Sequence, residues 1–105
     1  MRIFQKIKEQ IKNNPIILYM KGTPNNPQCG FSNKTIKIIL HYKVKFTYID
    51  VLKNPDIRIF LPKYANWPTF PQLWVNNKLI GGYDILYSLH NTKKLKKILN
   101  LKENN

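Results

Sequence analysis

Sulfur is nearly missing from this chain, which has one cysteine, Cys29, among 105 residues. A lone thiol closes no internal disulfide, so any redox or ligand chemistry at Cys29 recruits a second thiol from another molecule. Low cysteine content also fits a reducing compartment, and the expected location is the cytoplasm. No stretch approaches the roughly 20 apolar residues of a membrane span. Residues 1–20 alternate charged and apolar positions (Arg2, Lys6, Lys8, Lys12) and show no apolar core with a cleavage site. These absences exclude a disulfide scaffold and argue against a membrane protein or a secreted precursor. At this length the chain is expected to form one domain, 1–105, with a single hydrophobic core and a loose tail at 102–105.

Acidic residues are scarce as well: five against 18 lysines and arginines, a formal net charge of +13. Such a charge invites a nucleic-acid reading. Against it, nearly all the cations are lysine, and Lys, Asn and Ile, which share AT-rich codons, dominate together. The lysines are scattered over every predicted element except for Lys93, Lys94, Lys96 and Lys97. That cluster alternates with Leu95, Ile98, Leu99 and Leu101 and reads as the solvated face of a helix. Neither nucleic acid nor membrane is expected as a partner.

Periodicity supplies the fold class. Ile3, Phe4, Ile7 and Ile11 recur at helical spacing over 2–13, and Asn13-Asn14-Pro15 ends that helix. Ile16 to Lys21 is a buried strand, and Gly22 to Gln28 a loop with two prolines. A helix over 30–42 carries Phe31, Thr35, Ile38 and Ile39, and a strand follows over 46–51. Asn54-Pro55-Asp56 combines a cap, a proline at the first helical position and a first-turn carboxylate. That helix carries Ile57, Ile59 and Phe60 and is expected to kink or end at Pro62. Residues 72–75 and 78–80 are strands around an Asn76-Asn77 turn. Gly81-Gly82 turns into a helix from Asp84 to His90, and Asn91-Thr92 stops it and caps a last helix from Lys93. A βαβ unit followed by a hairpin and helices gives an α/β domain: a four-stranded mixed sheet with helices on both faces.

Cys29 lies between a strand and the start of a helix. Unpaired backbone amides and the helix dipole favour an anion there, so the thiol is expected to be acidic, with Lys21 adding a nearby cation. The plainer alternative is a buried, inert cysteine. The flanks Pro27-Gln28 and Gly30 argue for exposure instead. Three residues on, where a dithiol oxidoreductase has its resolving cysteine, stands Ser32, which excludes an intramolecular dithiol cycle.

Three separated stretches then carry a specific likeness: Lys21-Gly22-x-Pro24 leading to Cys29-Gly30-Phe31-Ser32, Trp67-Pro68-Thr69-Phe70-Pro71-Gln72, and Gly81-Gly82-Tyr83-Asp84. Over residues 1 to about 100 the chain resembles the monothiol glutaredoxins of the Cys-Gly-Phe-Ser class, in their single-domain bacterial form. The resemblance implies a thioredoxin-like (glutaredoxin) fold and two cofactors, glutathione and a [2Fe–2S] cluster shared between two subunits. Four thiolates hold such a cluster; two Cys29 side chains and two glutathiones complete the count in a homodimer. His41, at the far end of the Cys29 helix, and His90 are poorly placed to serve.

The resemblance also implies a site. Lys21 and Arg58 face the glycine carboxylate of glutathione, for which a guanidinium is well suited, although Arg58 has a solvated helix-surface role as its alternative. Pro71 is held cis, so that the Phe70 backbone pairs with the tripeptide. The amides of Tyr83 and Asp84 take the γ-glutamyl carboxylate and the Asp84 side chain the ammonium, the alternative for Asp84 being a simple helix cap. Trp67 and Pro68 are expected only to pack their loop. Tyr83 stands where relatives often have a small residue or cysteine, and its ring is expected to reshape that wall.

The implied function is cluster assembly and transfer, with apo iron–sulfur recipients and BolA-type proteins as partners. The alternative is an enzyme, a glutathione-dependent thiol–disulfide oxidoreductase acting through Cys29. The extended Gly22–Gln28 loop disfavours it.

Overall fold

Ile16-Ile17-Leu18-Tyr19-Met20 contains neither charge nor turn former, and all five residues are buried in the central strand β1 (Ile16–Met20). A strand buried on both faces needs cover on both, and the rest of the chain supplies it. The computed structural model describes residues 1–100. In chain order it runs α1 (Arg2–Asn13), β1, β2 (Gly22–Thr23), β3 (Asn26–Pro27), α2 (Gly30–His41), β4 (Thr47–Asp50), α3 (Pro55–Ala65), β5 (Gln72–Val75), β6 (Lys78–Gly81), α4 (Tyr83–Asn91) and α5 (Leu95–Asn100). The main sheet has the order β4-β1-β5-β6; β1 is parallel to β4 and antiparallel to β5. This is the expected four-stranded mixed sheet.

Side chains alternate across β1 with period two, dividing the interior. Ile16, Leu18 and Met20 meet Leu73 and Val75 from β5, Ile36 and Ile39 from α2, Leu86 from α4, and Leu95 and Leu99 from α5. On the other face Ile17, Tyr19 and Trp74 meet Ile7 and Ile11 from α1 and Ile57 and Leu61 from α3. Each fully buried aliphatic or aromatic side chain stabilises by about 1.5–3 kcal/mol. The Tyr19 hydroxyl donates to Gln10 Oε1 at 2.9 Å, and burial, with a lesser contribution from Tyr64, pushes its pKa up, so it remains a donor. Among the described residues no helix is long and apolar enough to cross a membrane.

Several local expectations are corrected. The 22–28 segment is a two-stranded hairpin, β2 against β3, tied by the Gln28 amide to the Lys21 carbonyl (2.9 Å) and by the Asn26 amide to Thr23 Oγ1 (3.1 Å). Pro62 lies inside α3. Fully buried Ile57 and Leu61 hold this helix against the sheet and together offset the roughly 3 kcal/mol cost of an interior proline. The helix ends at left-handed Asn66 (φ 51). Asn54 precedes α3 but does not cap it: its side chain donates backward to the Asp50 carbonyl (2.8 Å). Ile59 is 57% exposed and Phe31 56%, so neither is core; Leu61 and Ile36 fill those roles. Thr92 closes α4, its hydroxyl donating to the Ser88 carbonyl, and the last helix starts at Leu95 rather than Lys93. Asn76 and Asn77, at φ 49 and 68, form the expected hairpin turn. The expected loose tail at 102–105 lies outside the described residues.

Candidate functional site

The carboxyl ends of β1 and β4 converge, and the chain leaves β1 through Lys21 into the β2–β3 hairpin. Asp50, the last residue of β4 and only 9% exposed, accepts the amides of Gly22 (2.9 Å) and Leu52 (3.0 Å). Ser32, fully buried in the first turn of α2, accepts the Lys21 amide at 3.1 Å. The hairpin is thus fastened to the sheet on one side and to α2 on the other. Cys29, between these anchors, is the N-cap residue of α2, extended at φ −152 and ψ 139.

Burial of Cys29 is partial and pushes its thiol pKa up, but opposing effects win. The amides of Ser32 and Phe31, the Lys21 charge and the Ser32 hydroxyl together hold the pKa below the ordinary 9.0. Alkylation of Cys29 by iodoacetamide, followed against pH, is expected to show a midpoint below 9.0, and Lys21→Gln to move it upward. A midpoint at or above 9.0 in the parent protein would contradict this account of the site. The sign for stability is that of an acid favoured as its anion. The contribution is present above the unfolded thiol's pKa and is lost as pH falls through the folded value.

Cys29 opens onto a groove of about 700 Å³, within the roughly 300–1,000 Å³ usual for small-molecule sites. All seven residues nominated from the sequence line it: Lys21, Cys29, Arg58, Phe70, Pro71, Tyr83 and Asp84. They come from the end of β1, the α2 cap, α3, the loop before β5 and the start of α4. The Phe70–Pro71 peptide bond is cis. Gln72, fully buried, holds the loop beneath: its amide donates to the Trp67 carbonyl (3.4 Å), and its oxygen accepts Trp74 Nε1 (2.8 Å). A Cβ on Gly82 would lie 3.1 Å from the Pro71 carbonyl oxygen, so glycine lets α4 begin against the proline loop. No side chain caps α4, which leaves the Asp84 carboxylate out of the capping role.

Trp67 and Pro68, expected only to pack their loop, also line the groove. Phe31 does too. An aromatic one residue inside a helix start can face either the core or the site, and the sequence periodicity misassigned it. The Tyr83 ring lies 6.0 Å from Phe31 and 5.8 Å from Tyr87, with Lys34 Nζ 5.5 Å from its centre. Phe31 and Tyr83 thus form an aromatic wall of the groove. Cys29 also borders a second hollow of about 440 Å³ with Pro27, Gln28, Gly30 and Asn33. His41 and His90 do not line the groove.

Comparison with known proteins fits this geometry. The glutaredoxin family profile matches residues 16–80. The chain is similar to Glutaredoxin 4 of Buchnera aphidicola subsp. Baizongia pistaciae, 60% identical over 94% of this chain and 92% of the relative. Among solved structures, a monomeric truncated mutant of Trypanosoma brucei 1-C-Grx1 is similar with a TM-score of 0.85 and 31% identity, over 95% of this chain and 91% of that one. The buckwheat glutaredoxin–glutathione complex shares the fold, with a TM-score of 0.83 at 21% identity, over 95% and 89%. This chain belongs to the glutaredoxin family, and with Cys29 as its only thiol it is a monothiol member.

Proposed function

We propose that this monothiol glutaredoxin binds glutathione in the Cys29 groove and, as a homodimer, carries a [2Fe–2S] cluster between assembly and recipient proteins in the cytoplasm. The observation that carries the reading is the position of the chain's only thiol: an anion-favouring helix cap on a groove lined also by the cations Lys21 and Arg58 and by the start of α4. Lys21 and Arg58 supply charge for the glycine carboxylate. Phe70 lines the groove next to Pro71, where its backbone suits pairing with a peptide. The start of α4 offers the amides of Tyr83 and Asp84 to a second carboxylate, and the free Asp84 side chain suits an ammonium.

Glutathione placed this way brings its own thiol beside Cys29. Each subunit then contributes one protein sulfur and one borrowed sulfur, and two subunits complete the four thiolates of the cargo. Because half of the thiolates belong to glutathione, which the protein holds non-covalently, release breaks only the two Cys29 sulfur–iron bonds to the protein. That suits a carrier whose partners are apo iron–sulfur recipients and BolA-type proteins. Anaerobic reconstitution with iron, sulfide and glutathione is expected to give a brown dimer with sulfur-to-iron charge-transfer absorption, which collapses to colourless monomer when glutathione is removed. A protein that stays colourless and monomeric in glutathione refutes the carrier reading.

The depressed thiol pKa favours a second reading, removal of glutathione from proteins. In that reaction the Cys29 thiolate attacks the glutathione sulfur of a mixed disulfide and expels the protein thiolate. A second glutathione thiolate then attacks the Cys29–glutathione disulfide, releasing oxidised glutathione and restoring Cys29. Brisk turnover of a glutathionylated protein by a colourless monomer would select it.

A further inference from the structure

The two histidines of the chain, 49 positions apart in sequence, meet at the end of α2 remote from Cys29, about 18 Å along the helix at 1.5 Å per residue. His41 is the last residue of α2 and His90 lies in the last turn of α4. Their ring centres are 5.5 Å apart, and Tyr42, which follows His41, hydrogen-bonds through its hydroxyl to His90 Nδ1. We propose that His41 and His90 form a binding site for a divalent transition-metal ion of the imidazole-preferring kind, such as Zn²⁺ or Cu²⁺, with Tyr42 orienting His90.

The spacing supports a shared ion. Two imidazoles bound to one tetrahedral ion at a metal–nitrogen distance of about 2.0–2.1 Å hold their ring centres about 5 Å apart. His41 is exposed and turns about its side-chain bonds without disturbing the core. His90 is half-buried, and its Nδ1 is already engaged. When that nitrogen donates to the Tyr42 oxygen, Nε2 is the lone-pair nitrogen free for a metal, which is the usual outer-shell arrangement of a metal-bound histidine. Both residues also lie at helix C-termini, where the dipoles favour a cation.

The surroundings select the class of ion. Lys43, Lys93 and Lys94 follow the two helices closely, and among the described residues no group of three or more His, Cys, Asp or Glu gathers that could hold a metal. Hard cations such as Ca²⁺ and Mg²⁺ need anionic oxygens; a site with two neutral nitrogens favours the later first-row ions instead. Water completes the coordination.

The test uses the full chain with Cys29 alkylated, so that its sulfur does not compete. Calorimetric titration with Zn²⁺ is expected to show one ion per chain. Cu²⁺ bound at the same site is expected to show electron paramagnetic resonance hyperfine structure from two nitrogens. His41→Ala and His90→Ala are each expected to weaken binding by more than about tenfold and to remove one nitrogen from the spectrum. Tyr42→Phe, which leaves both ligands in place, is expected to cost roughly 10–100-fold, the usual effect of losing an outer-shell partner. Absence of one-to-one binding, or binding undiminished in the His41→Ala, His90→Ala double variant, overturns the proposal. Unchanged affinity in Tyr42→Phe overturns the orienting role.

Discussion

Cys29→Ser is expected to abolish both cluster loading and glutathione transfer while leaving the fold at full stability. The reconstituted variant should remain colourless and monomeric with glutathione present, and its turnover of a glutathionylated protein should fall to background. The reason is chemical, because serine matches the shape but does not ionise near neutral pH and is neither a thiolate ligand nor a sulfur nucleophile. Stability has reason to hold or rise. Cys29 is only partly buried and occupies an N-cap, where serine is among the preferred residues. A variant that is colourless because it is unfolded is distinguished by its thermal melt. A folded variant that still assembles a coloured dimer would remove Cys29 from the ligand set.

Gly22→Ala is expected to be the most damaging single-methyl change, because this residue starts the hairpin that delivers Cys29. Its φ of +90 is a conformation that side chains rarely adopt, and an added Cβ would stand 2.5 Å from the Asn26 carbonyl oxygen and 2.7 Å from the Gln28 nitrogen. Both neighbours are backbone, so relief requires moving the hairpin. The left-handed backbone costs about 1–2 kcal/mol and the overpacking about 1–3 kcal/mol, for a destabilisation of about 2–5 kcal/mol. In a domain of this size that lowers the melting temperature by roughly 10 °C or more. Displacing Gln28 also displaces its neighbour, so thiol alkylation should change in the same variant. Gly30→Ala is the matched control: an added Cβ there meets nothing within 4 Å, and alanine is the better helix former. Its melting temperature is expected to stay level or rise. If Gly22→Ala melts within about 1 kcal/mol of the parent, the hairpin does not constrain the site as described.

The four-stranded mixed sheet was legible in the chain, though not the order of its strands. An uncharged five-residue run gives the central strand, and Asn76-Asn77 gives the hairpin turn. The seven site residues were nominated through motif likeness and share one groove because the carboxyl ends of β1, β4 and β6 and the start of β5 lie along one end of the sheet. What escaped the sequence was pairwise geometry. Helical spacing alone did not distinguish core from site for Phe31, or core from solvent for Ile59. Proline rules allow a kink or an end at Pro62, and the helix does not end there because those rules do not register how firmly the neighbouring Leu61 is packed. The 22–28 hairpin was hidden because its strands are two residues each and rely on Asp50, a side chain 28 positions away. Ser32 was read only for the sulfur it lacks; its hydroxyl also anchors the Lys21 backbone.

The sheet separates two independently filled interiors, and the groove draws on both. Arg58 rises from α3, beside buried Ile57, and Phe70 packs on that same side; Phe31 belongs to α2 and Tyr83 to α4, which cover the other. A molecule lying there would act as a rivet through both compartments, touching α3 and the proline loop on one side and α2 and α4 on the other.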